Sequence, residues 1–352
     1  MNKKALVLLS ALCLGATVGC GNNNSTSTNN GGNTSTPAPT AVEYNFALGY
    51  AASFKDHYGT MQAEVNVIGV AFDKEGKILD SRIDVVQINT AVVEGAPVMA
   101  EENPASKLEL GTDYKMAGVS AIGKEVYLQI EAYNDWLKGK TVADVKAATG
   151  EDGKVADLAS SCSIVTGSFL AALEDAAAHK NADTYTVSSL DDLNTGVGIY
   201  VGLYGANEVT AYIAAATTTD AGVVTAAAID NVVFMLAVGE DGKVCIAEKD
   251  GYGDPNKYTG ANGEFVSKKH LGEKYAMKGT SAQIGTIEGG AEWDEQAVAY
   301  EKGIVGKTAT EIAALEKGSI TGNTITIDDI NKSAAEAAKY ATMDVITSKP
   351  QA

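Results

Sequence analysis

The sequence predicts an α+β protein made of two tandem copies of a small antiparallel sheet with packed helices. Three observations carry that expectation. A stretch occurs twice, at residues 106–121 and 267–282, with nine of sixteen positions identical at a spacing of 161, as from Leu110 to Leu271. The echo continues at a spacing of 167: Gln129, Ala132, Tyr133 and Gly139-Lys140-Thr141 recur as Gln296, Ala299, Tyr300 and Gly306-Lys307-Thr308. A period this long is a whole domain, because solenoid units repeat every ~20–50 residues. Finally, 352 residues with 45% hydrophobic and 20% charged side chains suit two packed domains rather than a disordered chain.

Residues 1–20 read as a targeting segment outside the fold. Lys3 and Lys4 form a positive start, residues 5–18 an apolar stretch, and Gly19-Cys20 a small-residue cleavage site. A Cys directly after that site, followed by Gly-Asn-Asn-Asn, resembles a bacterial lipoprotein signal. Cys20 is then the lipidated first residue, and the chain is anchored to the cell membrane on its extracytoplasmic face. Residues 21–43, mostly Asn, Ser, Thr, Gly and Pro, cannot bury a core and predict a flexible tether. No later apolar run reaches the ~20 residues of a membrane span.

The first copy is placed at 44–192. Alternation over 61–72, with Val65, Val67, Val70 and Phe72 apolar, then Lys74-Glu75-Gly76-Lys77 and Ile78, predicts a hairpin, and 83–88 another strand. Val126, Ile130, Tyr133 and Leu137 fall at helical spacing, with Gly139 as the stop. Thr141 caps a short helix to 148, and the Ala-rich run 169–178 is a third. The second copy is placed at 193–352, with the boundary near Leu193. There 229–238 and 244–247 flank the turn Glu240-Asp241-Gly242-Lys243, which aligns with the first hairpin by matching Gly76-Lys77 to Gly242-Lys243. A Gly-rich loop at 250–263 and helices at 292–304, 308–315 and 328–341 complete it. The six extra residues near 284–290 fall in a loop, where length is cheap.

Composition excludes some functions. A net charge of −18 repels phosphate backbones, so nucleic acid is not a partner. Beyond the targeting segment Cys162 and Cys245 remain, one per copy, expected as separate buried thiols. His57, His179 and His270 stand far apart with no CxxC, so no metal-ligand set is expected. Gly196-Val197-Gly198-Ile199-Tyr200-Val201-Gly202 is a near miss to a dinucleotide fingerprint, without the strand–helix setting. Asp250, Asp254 and Asn256 lack the spacing of an EF-hand loop.

Candidate chemistry sits just before the last helix of each copy. The first copy has Asp157-Leu158-Ala159-Ser160-Ser161-Cys162-Ser163, the second Gly318-Ser319-Ile320-Thr321-Gly322-Asn323-Thr324, with Ser163 aligned to Thr324. These runs resemble the FMN-binding domains of membrane redox complexes and surface flavoprotein lipoproteins, whose signature reads Asp-x-x-Ser-Gly-Ala-Thr-x-Thr. Trp136-Leu137-Lys138-Gly139-Lys140-Thr141 and Ile304-Val305-Gly306-Lys307-Thr308 look like that family's upstream helix end. The likeness covers roughly 61–178 and 225–341. It implies FMN esterified to a Ser or Thr hydroxyl by a flavin transferase, in an extracytoplasmic electron carrier that meets redox partner proteins. The residues it points to are Thr324, Gly322, Asn323 and Thr321, and in the first copy Ser163 and Ser160. Thr324 leads because Gly322 keeps the signature's glycine, whereas Ser161 and Cys162 crowd Ser163. An acceptor hydroxyl must be exposed, and the helix start nearby should offer free N–H groups to a phosphate, although Asp328 and Asp329 would repel it. The same runs also suit plain helix capping. The alternative is therefore a flavin-free tandem ligand- or protein-binding surface lipoprotein.

Overall fold

Three long strands open the first repeat as an antiparallel meander: β1 (Val42–His57), β2 (Thr60–Phe72) and β3 (Ile78–Val93). A short β4 (Ala96–Met99) extends the sheet past β3, and β5 (Thr184–Val187) adds to its other edge beside β1. Between them run α1 (Lys107–Leu110), α2 (Val126–Leu137), α3 (Val142–Ala148) and α4 (Gly167–Ala178). The second repeat gives β6 (Asn194–Tyr204), β7 (Glu208–Thr218), β8 (Val224–Val238) and β9 (Val244–Ala247). After β10 (Val266–Ser267) come α5 (Lys268–Leu271), α6 (Lys278–Ile284), α7 (Trp293–Ile304), α8 (Ala309–Ala313) and α9 (Asp328–Ala341). This computed structural model describes residues 41–247 and 265–343, all within one compact unit. The targeting segment with Cys20, the tether up to residue 40 and the 250–263 loop lie outside the described residues.

The fold class is α+β, as expected, and the two sheets pack face to face. Along β1, Tyr44, Phe46, Leu48 and Tyr50 point one way, into a core shared with Val197, Ile199 and Val201 of β6 and Val209, Ala211 and Ile213 of β7. The intervening Ala47 and Ala51 point the other way, against Tyr133, Leu173 and Ala176 of the helices. Strand periodicity thus sends alternate residues to two different cores. The second sheet repeats this, with Ala214, Ala216 and Ile229 packed on Trp293, Tyr300 and Ala337. The result is four layers: helices, sheet, sheet, helices. The expected halves at 44–192 and 193–352 share that middle core and cross-bond, for example Tyr44 Oη to Thr217 Oγ1 at 2.8 Å and Thr195 N–H to Asp80 Oδ2 at 3.0 Å.

The duplication extends to single bonds. Gly139 and Gly306 both adopt a left-handed turn, at φ 79° and 83°. Gly139 N–H donates to Ile78 O and Ile78 N–H to Lys140 O, at 2.7 and 2.8 Å. Gly306 N–H donates to Val224 O and Val224 N–H to Lys307 O, both at 2.9 Å. Ser106 and Ser267 cap α1 and α5, and Thr141 and Thr308 close the capping boxes of α3 and α8.

Two sequence expectations need correction. The hairpin at Gly76-Lys77 matches the β7–β8 turn at Gly222, not Gly242-Lys243, because Ile78 and Val224 start equivalent strands; Gly242 lies in the β8–β9 turn. Residues 78 and 83–88 belong to one strand, β3. The glycine run at 196–202 lies in β6, where a Cβ on Gly198 would meet Ser333 O of α9 at 2.0 Å. A Cβ on Gly49 of β1 would likewise meet Ala172 O of α4, at 2.2 Å. These glycines let a helix lie on a strand.

Candidate functional site

The candidate residues of both copies hang on one buried glutamine each. Gln129 of α2 has no solvent exposure, and its amide donates to Ser120 Oγ at 3.1 Å, Lys124 O at 2.9 Å and Met116 Sδ at 3.6 Å. Its carbonyl oxygen accepts from Ser163 N–H at 2.8 Å and Ser163 Oγ at 3.1 Å. Gln296 of α7 does the same, donating to Ser281 Oγ, Ala291 O and Met277 Sδ and accepting from Thr324 N–H at 2.7 Å and Oγ1 at 2.9 Å. Each glutamine therefore ties the loop after the repeated stretch to the loop before the last helix. A buried amide satisfied on both ends holds one conformation. The identities Gln129/Gln296, Ser120/Ser281 and Met116/Met277 are what the sequence repeat preserves.

The surroundings of the two hydroxyls differ. Thr324 is buried, 6% exposed, beside buried Asn323, whose amide donates to Gln296 O at 3.1 Å. Gly322 is half-buried with φ 82°, and Thr321 is exposed. Asp329 of α9 pairs with Lys332 at 2.8 Å. The exposure that an ester acceptor requires is thus not met at Thr324. Ser163 is half-buried and lines an open cavity of about 540 Å³, and Ser160 lies exposed nearby in the chain. Gly153 N–H and O fix the neighbouring loop, the oxygen taking Thr166 N–H at 2.7 Å just before α4.

That cavity has a distinct chemistry. Lys55, His57, Lys107 and Lys154 line it together with the hydroxyls of Ser120 and Ser163. Ser168, in the first turn of α4, lies on the same wall. Glu64 is the acidic group among the lining residues, and Lys107 pairs with it at 3.1 Å. Burial alone would raise the Glu64 carboxyl, but Lys107 and the Gln87 amide bring it below its ordinary value. Lys55 and Lys154 are exposed and make no salt bridge among the described residues. Val119 and Val165, 86% and 61% exposed, put apolar surface at the mouth. In a chain of net charge −18, this is a local excess of positive charge. A volume of about 540 Å³ falls within the ~300–1,000 Å³ of ordinary ligand sites.

In the second repeat Lys268 keeps the place of Lys107, but the other cations of the cavity are not repeated. The strand pairings put Tyr204 where Lys55 stands, since Lys55 faces Gln62 and Tyr204 faces Glu208 across matching hairpins. The loop that carries Lys154 is six residues shorter in the second repeat and leaves it no counterpart, and Asp329 replaces Ser168. The sequence could have shown the difference only through the longer β1–β2 hairpin of the first copy, which carries Lys55 and His57 outward.

Neither cysteine is bonded. Cys162 is buried, and burial pushes its thiol up; Cys245 is half-buried. The expectation of two buried thiols holds for Cys162 alone. The histidines are less scattered than their numbering suggests: His179 of α4 and His270 of α5 stack with ring centroids 3.8 Å apart, next to Asp175.

No family model matches the chain, and no solved structure matches it significantly. Over 126 residues it is 31% identical to a chlorophenol reductase of Desulfitobacterium hafniense. That similarity covers 31% of this chain and 38% of the relative, so it spans well under half of either protein.

Proposed function

We propose that the first repeat binds a phosphate-bearing cofactor of the FMN class at Ser163, in a membrane-anchored extracytoplasmic electron carrier. The observation that carries this reading is the convergence of Lys55, Lys107, Lys154 and His57 on a cavity that also presents Ser163. Three ammonium groups there offset a phosphate dianion. Gln129 holds the Ser163 loop in one place, so that its hydroxyl lies at the cavity wall beside the start of α4. Val119 and Val165 offer apolar cover for a flat ring system at the mouth. FMN, when bound, would supply the electron chemistry, and the chain would supply position and charge. Thr324 does not fit this role, because its hydroxyl is buried. The second repeat then serves as the other half of the scaffold. The likeness to a protein named as a reductase adds a reductive setting to this reading. Anchoring through Cys20 belongs to the same proposal: Cys20→Ala should release the protein from the membrane fraction.

Co-expression with a flavin transferase tests the site. Intact mass should show one FMN-phosphoryl adduct that is lost in Ser163→Ala and kept in Thr324→Ala. The reverse pattern would overturn the assignment. One observation favours a second reading, a flavin-free ligand- or protein-binding surface lipoprotein. Ser163 Oγ donates to Gln129 just as buried Thr324 does to Gln296, which is what a pure loop fastener would do. Unmodified wild type in that experiment would put this reading first.

A further inference from the structure

The two repeats meet again at a pair of matching junctions, and only one of them is built from metal-ligand residues. Asp175 and His179 lie one turn apart on α4 of the first repeat, and His270 lies on α5 of the second. His179 Nδ1 is 3.2 Å from Asp175 Oδ1, and His270 Nδ1 is 3.8 Å from the same oxygen. One ligand atom of each residue lies within 4.8 Å of the other two. The matching junction, one repeat-spacing of 161 away, has Tyr340 for His179 and Glu109 for His270. There Tyr340 Oη donates to Glu109 Oε1 at 2.7 Å in a buried contact. Arg82 also donates to Met343 O at 3.4 Å across the halves on that side. On this side the chain gathers two of its three histidines on one carboxylate.

We propose that Asp175, His179 and His270 bind one divalent metal ion of the zinc class, which ties the first repeat to the second. Imidazole nitrogen is a borderline donor and carboxylate oxygen a hard one, and zinc accepts both. Donor atoms ~2.0–2.2 Å from a tetrahedral zinc lie about 3.3 Å from one another, so rotations of the two exposed rings bring the ligands into place. His179 caps α4 one turn after Asp175, and its Nδ1 bonds Asp175 O at 2.9 Å, which holds two ligands side by side before the third arrives. The carboxylate is itself held, since Asp175 Oδ2 accepts Tyr50 N–H at 3.0 Å. Such support orients a ligand from behind. Tyr50 also backs His270, its ring centroid 5.6 Å from the imidazole. Three protein ligands on a partly exposed edge leave a fourth position for water.

The test uses the full chain without a histidine tag, stripped of metal and titrated with zinc chloride by calorimetry. One zinc per chain should bind. His179→Ala and His270→Ala should each weaken binding by more than the roughly 10–100-fold that loss of a supporting group costs, while His57→Ala leaves it unchanged. Cobalt should give visible d–d bands in wild type that His270→Ala abolishes. Circular dichroism without metal confirms that the variants fold, as exposed side chains allow. Wild type that binds no stoichiometric zinc, or a His270→Ala variant that binds as wild type does, overturns the proposal.

Discussion

Ser163 and Thr324 occupy the same place in two copies of one design, yet Ser163 lines an open cavity while Thr324 is buried. Both hydroxyls donate to a buried glutamine that is satisfied in the same way at both ends. What differs is the shell around them: Lys55 and Ser168 in the first repeat give way to Tyr204 and Asp329 in the second, and the loop that carries Lys154 is shortened. The buried network is costly to change, because a lost partner strands other polar groups away from water. The surrounding surface can vary freely. Duplicated chains can therefore keep the fastener twice and a binding surface once, and a motif that includes the fastener reports fold before function.

The largest effects should show where the two copies are alike. Gly49→Ala and Gly198→Ala each put a Cβ about where a helix carbonyl sits, at 2.2 and 2.0 Å. Each should destabilise by about 3 kcal/mol, since backbone cannot give way as a flexible side chain does. Urea midpoints measured on both variants check this. A mild effect in one and a severe effect in the other would break the equivalence of the two helix–strand crossings.

Next comes the fastener. Gln296→Ala strands Thr324 N–H and Oγ1 together with Ala291 O in a closed setting, and should cost about 2–3 kcal/mol. Gln129→Ala strands the same groups beside an open cavity, where water can replace the amide, and should cost about 1–2 kcal/mol. Equal losses in denaturant unfolding would mean that the cavity does not admit water to Ser163.

A third difference is electrostatic. Asp84 of β3 is fully buried, and burial together with nearby Glu109 pushes its carboxyl up to about 7, against the pull of Ser106 and the Val85 and Leu108 N–H groups. A carboxyl raised on folding adds stability that is fully present below its unfolded value near ~4 and is lost as pH rises through about 7. Where Glu109 stands in the first repeat, the second has His270. Wild-type stability should fall by about 1–3 kcal/mol between pH 4 and pH 8 through this group. Asp84→Asn, which keeps an acceptor for Leu108 N–H, should flatten that slope. Thermal melts across the range would refute the idea if the variant keeps the full slope.

Much of this architecture is legible in the sequence, and the misses have physical causes. The helices at 126–137, 293–304 and 328–341 announce themselves because each buries one stripe and ends at a glycine or cap. Strands β6 and β7 are hidden, since both of their faces are covered. Runs such as Ala214-Ala215-Ala216 followed by Thr217-Thr218 are buried throughout and show no alternation. The identity of the duplicated site is readable in Gln129/Gln296 and Ser163/Thr324, but exposure is not. Thr324 looks the better acceptor by its glycine neighbour, and only the fold shows that it is closed. The Asp175, His179 and His270 cluster is invisible for a different reason: its members come from opposite repeats and meet through the face-to-face packing of the sheets.

The smallest effect on stability should carry the sharpest statement about function. Lys154→Gln and Lys55→Gln alter exposed side chains without a salt bridge, so each should change stability by less than about 0.5 kcal/mol. Both nevertheless face the cavity that Ser163 lines, and each supplies one of its positive charges. Removing one ammonium from a phosphate site near the surface should weaken FMN binding by about 3–10-fold, from the ~1 kcal/mol that such a charge contributes. The loss should shrink as salt rises, because screening over ~8–10 Å already mutes it. Fluorescence titration of FMN against the two variants separates the outcomes. If Lys154→Gln binds as wild type does, the cavity's positive charge has no part in recognition, and the difference between the two repeats lies in shape alone.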